Sequence, residues 1–77
     1  MFVKVKLYGI LRDKLPPAAK GLAEIELPLG STIQDIIKKL QISTMVKASV
    51  NEVLERDIQR ELQEGDEVQL FRPAGGG

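Results

Sequence analysis

The feature of this sequence with the clearest chemical use is its C-terminal segment, Pro73-Ala74-Gly75-Gly76-Gly77, in which no side chain larger than a methyl group follows the proline. Ordering three glycines costs much backbone entropy and adds no packing, so stability does not explain the segment. Glycine does suit a narrow channel, because a chain without Cβ atoms can lie extended where side chains would not fit. The segment therefore predicts a terminal carboxylate that is delivered into the active site of another protein.

The chemistry available to such a terminus is acyl transfer. A carboxylate is ionised and resonance-stabilised at neutral pH, so an ATP-dependent partner must first activate it as an acyl-adenylate. A sulfur or amine nucleophile can then displace the phosphate leaving group. The predicted reacting group is the Gly77 carboxylate, with no side chain of the chain taking part. The alternative is a flexible terminus or an added linker, since glycine runs are common linkers.

The composition argues against self-contained catalysis. The 77 residues include no Cys and no His, which removes cysteine nucleophiles, thiolate metal sites and the usual general base near neutral pH. A chain of this length forms one domain with one small core. Eleven basic and eleven acidic side chains cancel, so general affinity for nucleic acid or anionic membranes is not indicated. With neither a membrane-length apolar run nor a signal-peptide pattern, the expectation is a soluble, cytoplasmic protein.

Charge is unevenly distributed along the chain. Residues 1–20 are basic, and residues 51–77 are acidic. One interpretation is that the two ends pair in the fold and complement each other. The other is that the acidic region forms a face that steers a basic partner.

The elements that must position the tail follow from hydrophobic periodicity. Strict alternation predicts a strand over residues 2–8 and a second over 22–27, with residues 9–21 as a connecting loop broken by Pro16-Pro17. Ser31-Thr32-Ile33-Gln34 fits a capping box, with Ser31 as the N-cap and Gln34 closing the box. An apolar stripe then predicts a helix that packs on the core, through Ile33, Ile36, Ile37 and Leu40.

The remaining residues predict a strand, turn and short strand over 46–55, with the turn at Asn51-Glu52. Residues 56–63 are expected to be irregular and anchored by Ile58 and Leu62. A final strand follows over 68–71, with Val68 and Leu70 facing inward.

This order of elements predicts an α+β fold of the β-grasp (ubiquitin-like) type. The expected architecture is a mixed sheet of four to five strands with one main helix packed on one face, and with the first and last strands side by side at its centre. The predicted division is a β-grasp domain over 1–72 and a flexible glycine tail over 73–77.

The sequence resembles the MoaD/ThiS family of ubiquitin-like sulfur carrier proteins, and most closely the small subunit of molybdopterin synthase. The resemblance covers essentially all 77 residues. It depends on the first strand followed by Leu11-Arg12-Asp13, the helix after Leu29-Gly30-Ser31-Thr32, Val50-Asn51-Glu52, the segment Leu62–Val68, and the tail. The loop over Arg12–Gly21 is typical of the molybdopterin branch. A thiamine-type sulfur carrier and a ubiquitin-like protein modifier remain the alternatives.

The resemblance implies that a ubiquitin-activating-type adenylating enzyme uses ATP to adenylate Gly77, which then becomes a thiocarboxylate. The sulfur would pass to the large subunit of molybdopterin synthase or to another acceptor enzyme, for molybdenum or tungsten cofactor synthesis. The chain would then be a protein cosubstrate, the small subunit of a synthase complex, and not an enzyme. No metal or permanently bound cofactor is implied.

The residues expected to contact the partner are those that lead into the tail: Phe71, Arg72, Pro73, Gly75 and Gly76. Alternation places Phe71 on the outward face of the last strand, a face that it shares with Phe2, where an aromatic side chain would suit docking. The alternative for Phe71 is packing within the chain itself. Arg72 could pair with a carboxylate of the partner or remain solvated.

Overall fold

Five β-strands and one α-helix make up the described part of the chain, residues 1–42 and 45–73, in this computed structural model. Two short 3₁₀-helices, Gly9–Lys14 and Pro17–Ala19, lie between the first two strands. The elements in chain order are β1 (Phe2–Leu7), β2 (Leu22–Glu26), α1 (Ile33–Lys39), β3 (Lys47–Val50), β4 (Val53–Glu55) and β5 (Glu67–Phe71).

The strands form one mixed sheet in the order β2-β1-β5-β3-β4. β1 and β5 run parallel, whereas the β1–β2, β3–β5 and β3–β4 pairs are antiparallel. The first and last strands are therefore neighbours at the centre of the sheet, and the connection that contains α1 carries the chain across one of its faces. The predicted β-grasp fold is confirmed, with five strands.

The core lies between α1 and the inward face of the sheet. Alternation places Val5 and Leu7 of β1 inward with Val68 and Leu70 of β5, and each of these side chains is at most 2% exposed. From the other side, Ile33 and Ile36 of α1 are fully buried, and Ile37 and Leu40 pack partly buried against the same cluster. β5, the central strand of the five, thus has both of its inward side chains fully buried, which fixes the position of its end.

The segment between β1 and β2, predicted as a loop, contains the two 3₁₀-helices instead. Leu11 is only 2% exposed and anchors the first of them to the core. Gly21 begins the return into β2 with φ of +78°, and a Cβ there would lie 2.7 Å from the carbonyl oxygen of Leu7. The run is too short and too proline-rich for an α-helix, but the buried Leu11 side chain anchors it in the form of short 3₁₀-helices.

The capping box of α1 is shifted by one residue from the predicted position. Thr32, not Ser31, is the N-cap, and the Asp35 carboxylate accepts from the Thr32 backbone N–H at 2.8 Å. Ser31 is buried, and its carbonyl accepts from the backbone N–H of Leu62 at 2.8 Å. Gln34 accepts from the side chain of Gln59 at 2.8 Å and so does not close the box.

The turn between β3 and β4 carries backbone strain that one substitution should relieve. Asn51 and Glu52 have φ of 52° and 69°, a conformation that costs a non-glycine residue about 1–2 kcal/mol. Asn51 is held by its side chain, whose amide donates to Asp66 at 3.0 Å and whose oxygen accepts from the Glu67 backbone at 3.0 Å. The exposed side chain of Glu52 leaves that position free to change.

Glu52→Gly is expected to raise the free energy of unfolding by about 0.5–1 kcal/mol, because glycine adopts positive φ without a Cβ clash. Denaturant unfolding measures the change. The matched control is Glu52→Ala, which removes the charge but keeps the Cβ. Equal stabilisation by both variants would show that the charge, and not the backbone, limits the wild-type turn.

Candidate functional site

The tail leaves the fold from the centre of the sheet. β5 is paired on one side with β1 and on the other with β3, where Phe71 lies opposite Lys47. Tyr8 donates its backbone N–H to the Leu70 carbonyl at 3.2 Å, so the ladder holds β5 almost to its last residue. Pro73, two residues later, has no N–H to extend the ladder. The tail is therefore attached to the best-supported strand of the molecule.

Phe71 lies on the outer face of the sheet, as predicted, but its side chain is half-buried. The strand register places it beside Tyr8 and opposite Lys47. Phe2 lies on the same face at the opposite end, because β1 and β5 are parallel and Phe2 begins β1 while Phe71 ends β5. The two aromatic residues share a face without forming one patch.

A polar network crosses the outer face next to Phe71. The Ser49 hydroxyl donates to the Gln69 side-chain oxygen at 2.6 Å, and the Gln69 amide donates to the Tyr8 hydroxyl at 3.4 Å. The Lys6 ammonium lies 5.2 Å from the centre of the Tyr8 ring, within cation–π range. These contacts join β3, β5 and β1 across the centre of the sheet and orient the aromatic ring at the point where the tail begins.

Arg72 and Pro73 differ in their surroundings. Arg72 is exposed, which leaves its guanidinium accessible to a partner. Pro73 is half-buried and lines a groove of about 360 Å³ that also includes Met45, Val46, Leu54 and Ile58. Ile58 was expected to anchor residues 56–63 in the core, but 36% of it is exposed, whereas Leu62, at 4%, does fill that role. The segment is held at Ile58 by its backbone carbonyl, which accepts from the Gln34 N–H at 2.9 Å.

The last residues of the predicted site, Gly75, Gly76 and Gly77, lie outside the described residues, so their part in the site stays a prediction. Within residues 1–42 and 45–73, no group of three or more His, Cys, Asp or Glu side chains is arranged to hold a metal ion. In the same part of the chain, no helix is long and apolar enough to cross a membrane.

Sequence reasoning located the β5 end but missed the residues around it. The residues that line the groove beside Pro73 come from three separate segments of the chain. The hydrophobic pattern of these segments does not indicate that they lie together in the fold. The sequence pattern predicts only that Tyr8 ends the first strand. The parallel pairing of β1 with β5 is what places Tyr8 beside Phe71. The predicted adjacency of the first and last strands was the one signal that could have placed Tyr8 near Phe71 before the structure was known.

Comparisons with known proteins agree with this geometry. The sequence model of the ThiS family matches residues 5–77. Subunit 1 of molybdopterin converting factor, as assigned in Pyrococcus furiosus, has a similar structure at 27% identity, with a TM-score of 0.76 over 96% of this chain and 99% of that one. A search of curated protein sequences finds no significant match.

Two further solved structures show the same fold at lower identity. SAMP1 from Haloferax volcanii is 17% identical, with a TM-score of 0.74 and full coverage of both chains. The complex of subunits 1 and 2 of molybdopterin-converting factor from Helicobacter pylori contains a chain that is 18% identical, with a TM-score of 0.66 and full coverage of both chains.

Proposed function

Because the chain belongs to the ThiS family of ubiquitin-like sulfur carriers, we propose that it carries sulfur as a thiocarboxylate at Gly77 for molybdopterin synthesis. Molybdopterin would then become part of the molybdenum or tungsten cofactor. The observation that carries the proposal is the position of the β5 end at the centre of a small, firmly paired sheet, since in the sequence the glycine-rich terminus follows that strand directly. Such a terminus can enter a narrow active site while the fold stays outside.

The proposed reaction has two steps, both catalysed by partners. In the first, an oxygen of the Gly77 carboxylate attacks the α-phosphorus of ATP, pyrophosphate leaves, and an acyl-adenylate forms on a ubiquitin-activating-type enzyme. In the second, hydrosulfide from the sulfur source attacks the acyl carbon, the bond to AMP breaks and AMP leaves, and the S–H proton is lost, so that one carboxylate oxygen is replaced by sulfur. ATP is a substrate of the partner, and the chain itself binds no permanent cofactor.

In this proposal the chain is a protein cosubstrate and the small subunit of a cytoplasmic molybdopterin synthase complex. The structure from Helicobacter pylori is a complex of subunit 1 with subunit 2, and the large subunit is the acceptor proposed here. Residues 1–72 would form the folded domain and 73–77 the inserted tail, with Gly75 and Gly76 in the narrow part of the channel and Phe71, Arg72 and Pro73 at its mouth. Neither nucleic acid nor a membrane has a part in it.

Intact-mass spectrometry tests the proposal at the reacting atom. The chain is incubated with ATP and an extract of its host that contains a sulfur source, and the C-terminal peptide is analysed. We expect a mass gain equal to the exchange of one oxygen for sulfur, located on Gly77. An unchanged mass alongside a demonstrably active adenylating enzyme would contradict the proposal. Higher-mass ligated forms would identify a protein modifier, and rescue of thiamine synthesis alone would identify the thiamine-type carrier.

A further inference from the structure

The charges of the described chain are separated along the strand direction, although they cancel in total. We call the end of the sheet at which β5 terminates the tail end; β2 and β3 begin there. Its basic residues are Arg12, Lys14, Lys20, Lys47, Arg56 and Arg72, accompanied by the acidic residues Asp13, Glu55 and Asp57. The opposite end carries Glu26, Glu52, Glu64, Asp66 and Glu67, accompanied by Lys4, which is level with Glu67, and by the N-terminal ammonium. The tail therefore leaves from the basic end of the molecule.

The groove beside Pro73 is an apolar surface at this basic end. Met45 is 78% exposed, Leu54 is 50% exposed and Ile58 is 36% exposed, and all three line it. Val46, Ala48 and Pro73 complete the apolar lining of its volume of about 360 Å³. Exposed apolar side chains that meet in one concave surface are typical of a site that a partner covers.

Two cations and one carboxylate border the groove. Lys47 and Arg56 line it with exposed side chains, and among the described residues neither forms an ion pair within 4.0 Å. Glu55 also lines it, but its carboxylate lies 3.4 Å from Nε of Arg60. The potential of the rim is therefore set by the two cations.

From these features we infer that the groove binds an acidic segment of the enzyme that adenylates Gly77, with an apolar side chain entering the groove and flanking carboxylates facing Lys47 and Arg56. This inference depends on the proposed function, because it assigns the groove to the enzyme that adenylates Gly77. Charge complementarity selects this partner over a second copy of the chain, since two copies that meet at this surface would bring two basic ends together.

The test is the affinity of the full chain for the adenylating enzyme purified from its own organism, measured by surface binding at low and at high salt. The double variant Lys47→Gln/Arg56→Gln is expected to raise Kd about tenfold and to weaken its salt dependence. Leu54→Ser is expected to raise Kd at both salt concentrations. The control is Lys4→Gln, which removes one positive charge from an exposed strand position between Glu24 and Glu67, away from the groove, and should leave Kd within about twofold.

The outcomes separate this inference from the proposed function. Wild-type affinity in the double variant, with ATP–pyrophosphate exchange still dependent on Gly77, would overturn the groove assignment and leave the carrier function standing. Exchange that persists without Gly77 would overturn the carrier function, whatever the groove binds. An equal loss of affinity in Lys4→Gln would show that total charge and not the groove governs association, and absence of wild-type binding would overturn the assignment as well.

Discussion

Deletion of Gly77 is expected to abolish cofactor synthesis while leaving the fold intact. One residue of extended chain spans about 3.3–3.6 Å, so the shortened terminus would stop that far from the α-phosphorus of ATP in the partner. A misplacement of about 1 Å at a reacting group can already cost 100-fold in rate, so the loss should be at least that large. Adding one residue after Gly77 should cause an equal loss of activity, because the carboxyl group of Gly77 then forms a peptide bond and is no longer a free carboxylate.

The readouts are ATP–pyrophosphate exchange with the adenylating enzyme and cofactor synthesis in a host that lacks the wild-type chain. Both variants should melt at the wild-type temperature, since the described core ends at Leu70 and a glycine has no side chain to pack. The control is Ala74→Gly, which preserves both the length of the tail and its terminal carboxylate, and should remain active. Normal cofactor synthesis by either length variant would contradict the carrier function.

Most of the fold was predictable because the strands are half-buried. Val3, Val5 and Leu7 alternate with polar neighbours, and the structure buries all three at the centre of the sheet. Alternation of apolar and polar residues identifies a strand and its inward face, but it does not predict which tertiary contacts fix the conformation of a short irregular segment. Leu11 folds the predicted loop into 3₁₀ turns, and a buried Ser31 moves the helix cap to Thr32. Both differences come from tertiary contacts that local patterns do not contain.

The charge pattern shows the same limit for the site. By chain order the last third is acidic, which suggested either pairing of the ends or an acidic face for a basic partner. The first and last strands do pair, but folding places Arg56 and Arg72 at the tail end and Glu64 and Glu67 at the other. Because β4 ends at the tail end whereas β5 begins at the opposite end, Arg56 and Glu67 lie at opposite ends of the sheet although they are close in sequence. The surface around the tail is consequently basic although the sequence that precedes it is acidic.

The stability of this fold depends on the packing of α1 against the sheet. α1 spans only seven residues, Ile33–Lys39, and an isolated helix of that length is not stable in water. Its capping box contributes about 1 kcal/mol, so packing must supply the rest. Ile33 and Ile36 are its only described side chains that are fully buried, and they close the core over Val5, Val68 and Leu70.

Ile36→Ala is expected to lower the free energy of unfolding by about 3–4 kcal/mol, through lost burial and the cavity left against the sheet. A chain of this length has roughly 4–12 kcal/mol in total, so the variant should melt about 12–32 °C lower or be partly unfolded at 37 °C. Lys38→Ala, in the same helix but exposed, should change stability by less than about 0.5 kcal/mol. Chemical denaturation of both variants measures these changes in the free energy of unfolding. A small effect at Ile36 would mean that the sheet is stable without its helix, and that the β5 end is positioned by strand pairing alone.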